Sequence, residues 1–182
     1  MKQHANSPLV VNFFAGPGAG KSTLAAALFA TLKWRGVLCE LVCEYAKDKV
    51  WEEQHGILQN GYYVFGKQLQ RQLRLLGKVD VIITDAPILL SIAYNTDNRA
   101  FQAAVFTEFE RFRNLNFFVK RVKPYVQVGR YQDEDGARRV DDDVLAVLKA
   151  YKVPFIEITG TQDAVPTVES LITTTLSSLR AS

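Results

Sequence analysis

Apolar residues gather in five short blocks along the chain, separated by longer stretches of helical character. "LVVNFFAG" (9–16) is an apolar run that ends in Gly-Pro-Gly, which predicts a buried strand running into a tight loop. "VLCELVCEY" (37–45) and "VDVIITDAP" (79–87) are short, β-rich and bounded by breakers, and predict the second and third strands. "NLNFFVKRV" (114–122) and "VPFIEITG" (153–160) supply the fourth and fifth. The Ala- and Leu-rich segment 21–36 predicts a helix stopped by Gly36. Segments 63–78, 99–113, 135–152 and 167–180 predict four more helices. Strands alternating with helices imply parallel pairing through right-handed crossovers, hence an α/β protein with helices on both faces of one sheet.

Composition narrows the setting. A chain of 182 residues, 48% hydrophobic and 23% charged, fits one globular domain, and neither a repeat nor a linker divides it. No apolar run reaches membrane-spanning length, and the polar start, Met1 to Pro8, lacks the apolar core of a secretory signal, so a cytoplasmic location is expected. Cys39 and Cys43, four apart on one predicted strand, lie roughly 13 Å from each other, too far for a disulfide, and read as buried thiols. His4 and His55 have no metal-ligand spacing.

Net charge is only +3, but it is unevenly placed. Arg111, Arg113, Lys120, Arg121, Lys123, Arg130, Arg138 and Arg139 fall in one segment, opposed there by Asp133, Glu134 and Asp135. Within it, the Pro- and Gly-containing stretch from Lys123 onward reads as a mobile lid of about 123–140.

The first strand leads into "AGPGAGKST" (15–23). The phosphate-loop pattern G-x-x-x-x-G-K-[ST] then places its second glycine at Gly20, its lysine at Lys21 and its hydroxyl at Ser22, with Ala15 in the position of the first glycine. That first position turns the chain out of the strand, where a methyl group is a small intrusion. Gly16, Pro17, Gly18, Ala19, Gly20, Lys21, Ser22 and Thr23 are therefore the expected nucleotide-binding residues. Ser22 is expected to hold Mg2+, and Lys21 to neutralise charge on the terminal phosphates.

Three further features bear on what the triphosphate is used for. Asp85 ends the third predicted strand, where a carboxylate can order metal-bound water or accept a proton from a substrate hydroxyl. Glu44 ends the second and reads either as a general base or acceptor clamp, or as a partner of Lys47 or Lys49. Arg121 and Arg130, after the fourth strand, suit a loop that closes on a transferring phosphoryl group. No guanine-reading "NKxD" tract is present, and the length leaves no room for the small helical domain of a hexameric motor. A compact phosphotransferase fits these features best.

"NFFAGPGAGKST", "LVCEYAKD", "VDVIITDAP" and "NFFVKRVKPY…GR", in that order, resemble the compact P-loop kinase-like ATPases widespread in bacteriophages. They are similar in general plan to NAD-salvage and deoxynucleoside kinases. The resemblance implies a sheet of strand order 2-3-1-4-5, ATP as donor, Glu44 and Asp85 near the acceptor, and Arg121 and Arg130 in the lid. Some members look like kinases of 5-hydroxymethyluracil in DNA, and the resemblance therefore implies, as the leading expectation, transfer of the ATP γ-phosphate to the hydroxymethyl group of that base in phage DNA, in an infected host cell with modified-base DNA as partner. Tyr62, Tyr63 and Phe65 would then be available for base stacking. A kinase of free nucleosides or nucleotides is the nearest alternative, and an ATP-hydrolysing regulatory module a third.

Overall fold

A computed structural model describes residues 7–95, 97–130 and 132–181. His4 and most of the polar N-terminal stretch lie outside them. Five parallel strands, β1 (Leu9–Phe14), β2 (Cys39–Val42), β3 (Val81–Thr84), β4 (Arg113–Lys120) and β5 (Ile156–Thr159), form one sheet in the order β2-β3-β1-β4-β5. The expected α/β class and strand order are both present.

β1 is central and wholly buried, as a parallel strand covered on both faces must be. Its side chains alternate between two cores. Leu9, Val11 and Phe13 join Phe117 beneath α1 (Lys21–Trp34) and α8 (Ala164–Ala181). Val10 and Phe14 face the other way, toward Phe101, Val105, Val144 and Leu148. These come from α6 (Arg99–Glu110) and α7 (Glu134–Ala150). The sheet therefore holds its strand ends rigid between two packed layers.

One polar residue interrupts the apolar strand. Asn12 is buried, and its amide donates to Asn114 Oδ1 at 2.9 Å and Asn116 Oδ1 at 3.0 Å on β4. Asn116 in turn donates to the Pro154 carbonyl at 3.0 Å. Each buried amide thus has a partner, which removes the cost of leaving it unpaired.

The second crossover is more elaborate than the pattern predicts. Between β2 and β3 the chain forms α2 (Tyr45–Trp51), α3 (His55–Leu58) and α4 (Gly61–Leu73), and α5 (Leu90–Ala93) follows β3. The helix expected over 63–78 is α4, which starts two residues earlier, capped by the Asn60 side chain accepting from the Tyr63 N–H, and ends at Leu73. α8 likewise starts before the expected Thr167, because Pro166 sits in its first turn, where a missing N–H costs nothing. The expected lid of 123–140 is shorter. Asp133 caps α7 by accepting from the Gly136 N–H, so the loop ends there and 134–140 is helical. Cys39 is buried as expected, but Cys43 is exposed, because β2 ends at Val42 and the chain has already turned toward α2.

Candidate active site

All five strands deliver their functional residues to the carboxyl edge of the sheet, the edge where open parallel sheets bind ligands. β1 opens into the loop 15–20, which feeds α1. Gly18 and Gly20 have φ of 79° and 105°, left-handed values that a side chain strains. Gly16 is required for another reason: a Cβ there would lie 2.3 Å from the Ala137 carbonyl oxygen of α7. Ala15 is buried at the turn and its carbonyl accepts from Lys21 Nζ at 2.8 Å, so its methyl group obstructs nothing. α1 begins at Gly20 without a side-chain cap, leaving its first N–H groups for an anion.

Lys21 is buried and its Nζ also donates to the Gly16 carbonyl at 2.8 Å. Burial pushes the ammonium below its usual range. The charges of Glu44, Asp85 and Asp141 oppose that shift, while Arg121 adds to it. The loop lysine therefore lies at the focus of three carboxylates.

Two of those carboxylates are brought together by the β2–β3 pairing. Val42 is in register with Thr84, and Thr84 Oγ1 donates to the Val42 carbonyl at 2.9 Å while accepting from the Ala86 N–H at 3.1 Å. This fastening sets Glu44 and Asp85 on adjacent strand ends. Asp85 is buried, and its Oδ1 has no hydrogen-bond partner. Glu44 occupies the N-cap position of α2 but makes no capping bond. Among the described residues it forms no ion pair, and Lys49 pairs with Glu52 instead. Burial raises the Glu44 carboxyl above the usual carboxylate range; Lys21 pulls it down and Asp85 pushes it further up. Of the alternatives expected for Glu44, a salt bridge to Lys47 or Lys49 is not formed among the described residues, and Glu44 lines the cavity.

A cavity of about 540 Å3 extends from Gly18, Gly20, Lys21, Ser22 and Thr23 past Glu44. Val50 and Trp51 of α2, Val64 of α4, and Leu90 and Tyr94 at α5 wall it, and Val128 to Arg130 of the lid loop roof it. The roof rests on α2: a Cβ on Gly129, whose φ is 72°, would meet the Trp51 ring at 2.5 Å. Arg130 reaches the cavity, donates to the Val126 carbonyl and lies 5.5 Å from the Tyr125 ring centroid.

The aromatic residues singled out for stacking are elsewhere. Tyr62 packs edge-on against Phe101, Phe65 joins the second core, and Tyr63 faces Tyr45. α4 presents Val64 and Gln68 to the cavity in their place.

Four contributors escaped the sequence reading. Asp141, in the run "DDD", accepts from the Gly16 N–H and pairs with Arg121. Gly160, just past β5, lies so close to the phosphate loop that a Cβ on it would fall 2.1 Å from the Ala19 carbonyl oxygen. Trp51 and Tyr94 line the cavity from short helices that carry no strong periodic signal. The Gly160 contact has a measurable consequence. Gly160→Ala is expected to lower stability by about 1–3 kcal/mol, as overpacking does, and to weaken nucleotide binding together with it. Thermal melts with and without ATP check both effects.

A glycine loop entering a helix, a buried loop lysine and acids on the two neighbouring strand ends define a P-loop nucleotide-binding domain of ATPase or kinase type. The chain matches the family model described as AAA domain over residues 10–164, and it belongs to that family. Among curated proteins, none matches the chain. Among the described residues no helix is long and apolar enough to cross a membrane.

The site also fits Mg2+. Among the described residues no cluster of three or more His, Cys, Asp or Glu could hold a metal by itself. Mg2+ in nucleotide sites, however, needs only one or two protein oxygens beside phosphates and water. The exposed Ser22 hydroxyl at the start of α1 and the unpartnered Asp85 oxygen are hard ligands of that kind.

Proposed function

We propose that the protein is an Mg-ATP-dependent phosphotransferase whose acceptor is the hydroxyl of a single nucleobase or nucleoside held in the roofed cavity. The observation that carries this reading is the continuity of one cavity from the phosphate loop to Glu44, lined also by Trp51 and by Gly129, which pack against each other. At about 540 Å3 it has the size of a small-molecule site. An ATPase that only hydrolyses has no need of a walled chamber beyond its phosphates.

Glu44 accepts the acceptor's hydroxyl proton as its oxygen forms a bond to the γ-phosphorus. The bond from that phosphorus to the β–γ bridging oxygen breaks, and ADP leaves with the electron pair. Lys21 and Arg130 stabilise the charge that builds on the phosphoryl oxygens. Mg2+, held by Ser22 and Asp85, would neutralise β- and γ-phosphate charge.

The basic segment weighs against an extended DNA track. Arg113 begins β4 and Lys120 ends it, roughly 23 Å apart at strand spacing, while Arg111 caps the end of α6. Several of its charges are already paired: Arg111 with Glu108, Lys120 with Glu157, and Arg138 with Glu134. Phosphorylation of 5-hydroxymethyluracil in DNA would require the base to be flipped into the same cavity.

The test is transfer of label from γ-labelled ATP with Mg2+ to free nucleosides, ordinary DNA or DNA containing 5-hydroxymethyluracil. Label on free nucleosides is the expected result. Label confined to the modified DNA would replace the small acceptor with a flipped base. Phosphate release with no labelled acceptor would replace the kinase with an ATPase.

A further inference from the structure

Arg121 has an arrangement that the phosphate-loop motif alone does not explain. It follows β4 directly, and its side chain is only 6% exposed. Nε and Nη2 donate to Asp141 Oδ2 at 3.2 and 2.9 Å. The third nitrogen, Nη1, is buried and has no hydrogen-bond partner. It lies beside the phosphate loop, 3.1 Å from where a Cβ on Gly18 would be, next to the Tyr125 ring, whose nearest carbon is 2.8 Å from the same point. The guanidinium carbon lies 5.8 Å from the Tyr125 ring centroid, a cation–π contact.

The other oxygen of Asp141 is also committed, accepting from the Gly16 N–H. One carboxylate on α7 therefore ties together the start of the phosphate loop and the arginine after β4. Gly16 lies two residues before Gly18, and its Cα packs on the backbone of α7. Asp141 thus grips the back of the loop, away from the amides that begin α1. Its charge is balanced by Arg121 and does not stand exposed to the incoming phosphates.

A buried N–H of a guanidinium with no partner is costly unless a ligand completes it. We propose that Asp141 is a positioning residue of the donor site, which locks Arg121 so that Nη1 meets the bound nucleotide above Gly18. The carboxylate fixes two of the three nitrogens, and the third is thereby aimed. Lys carries no comparable planar fork, so Arg is needed at 121. The inference rests on nucleotide binding by the P-loop domain and not on the identity of any acceptor.

The test is a double-mutant cycle on the full chain, read as the dissociation constant for Mg-ATP with no acceptor present. Arg121→Ala is expected to weaken binding roughly ten-fold or more, the usual range for a lost charged hydrogen bond. Asp141→Ala is expected to cost at least as much, because it also frees the Gly16 N–H, and most of that cost should disappear once Arg121 is already Ala. Losses that multiply in the double variant would make Asp141 a purely structural brace and overturn the proposal. So would wild-type affinity in Asp141→Ala. Should Asp141→Ala not fold, Asp141→Asn decides the same question. It keeps an oxygen for the Gly16 N–H but loses the charge that holds Arg121. It should weaken ATP several-fold in the native background and not at all beside Arg121→Ala; equal weakening in both backgrounds overturns the proposal. Absence of phosphoryl transfer to every acceptor would refute the kinase reading and leave this cycle unaffected.

Discussion

Lys21→Ala is expected to abolish phosphoryl transfer, with a loss of about 10^3-fold or more in turnover, the scale on which removing one preorganised charge stabiliser acts. The size follows from the setting of the ammonium. Lys21 is buried, and Glu44, Asp85 and Asp141 all act on it from nearby. Removing it leaves those carboxylates without their common cation just where the phosphates must enter. It also strips the Ala15 and Gly16 carbonyls of their shared donor, so the loop loses a tie as well as a charge. Lys21→Arg should not rescue, because a bulky fork cannot make both short contacts from the first turn of α1. Initial rates of ADP formation over a range of ATP concentrations provide the check. Activity near that of the native chain would remove Lys21, and the loop with it, from the chemistry.

The donor half of the site was legible in the sequence because it is local. The turn out of β1, the glycines and the lysine occupy one contiguous stretch, and their roles depend on backbone conformations that glycine alone adopts easily. Glu44 and Asp85 were legible for a related reason, since each ends an apolar run that could only be a buried strand. The order of the strands was implied by resemblance and not by any residue pattern. The acceptor half was less legible, because it is assembled from distant pieces. Trp51, Val64 and Tyr94 come from three helices, two of them of seven and four residues. Segments that short do not establish the 3.6-residue period on which helix recognition depends. Asp141 was hidden differently: on a helix with an exposed face, a run of three aspartates looks like a solvated surface. Only the approach of Gly16 to the α7 backbone singles out Asp141 within that run. The Asn12, Asn114 and Asn116 ladder was hidden in the same way, since polar residues in a central strand contradict its pattern until their cross-strand partners are known.

The acceptor side is decided by Glu44. Glu44→Gln is expected to leave ATP affinity within a few-fold of native while lowering transfer by roughly 10^2- to 10^4-fold, the range for losing a general base. The pH profile separates this role from a structural one. A general base works deprotonated, so its contribution is present above its pKa and fades as pH falls through it. Burial, reinforced by the Asp85 charge, holds the Glu44 carboxyl above the usual carboxylate range against the pull of Lys21. The acid limb of kcat/KM should therefore lie higher than an ordinary solvent-exposed glutamate would place it, and the Gln variant should lose that limb. A Glu44→Gln enzyme that retained both its rate and its acid limb would shift the base to Asp85, whose buried Oδ1 has no hydrogen-bond partner. Asp85 is buried and does not line the cavity, whereas Glu44, Ala86 and Pro87 do. On the proposed phosphotransferase reading, a proton leaving an acceptor hydroxyl in that cavity would meet Glu44 first, and this is why the larger loss in transfer is assigned to it.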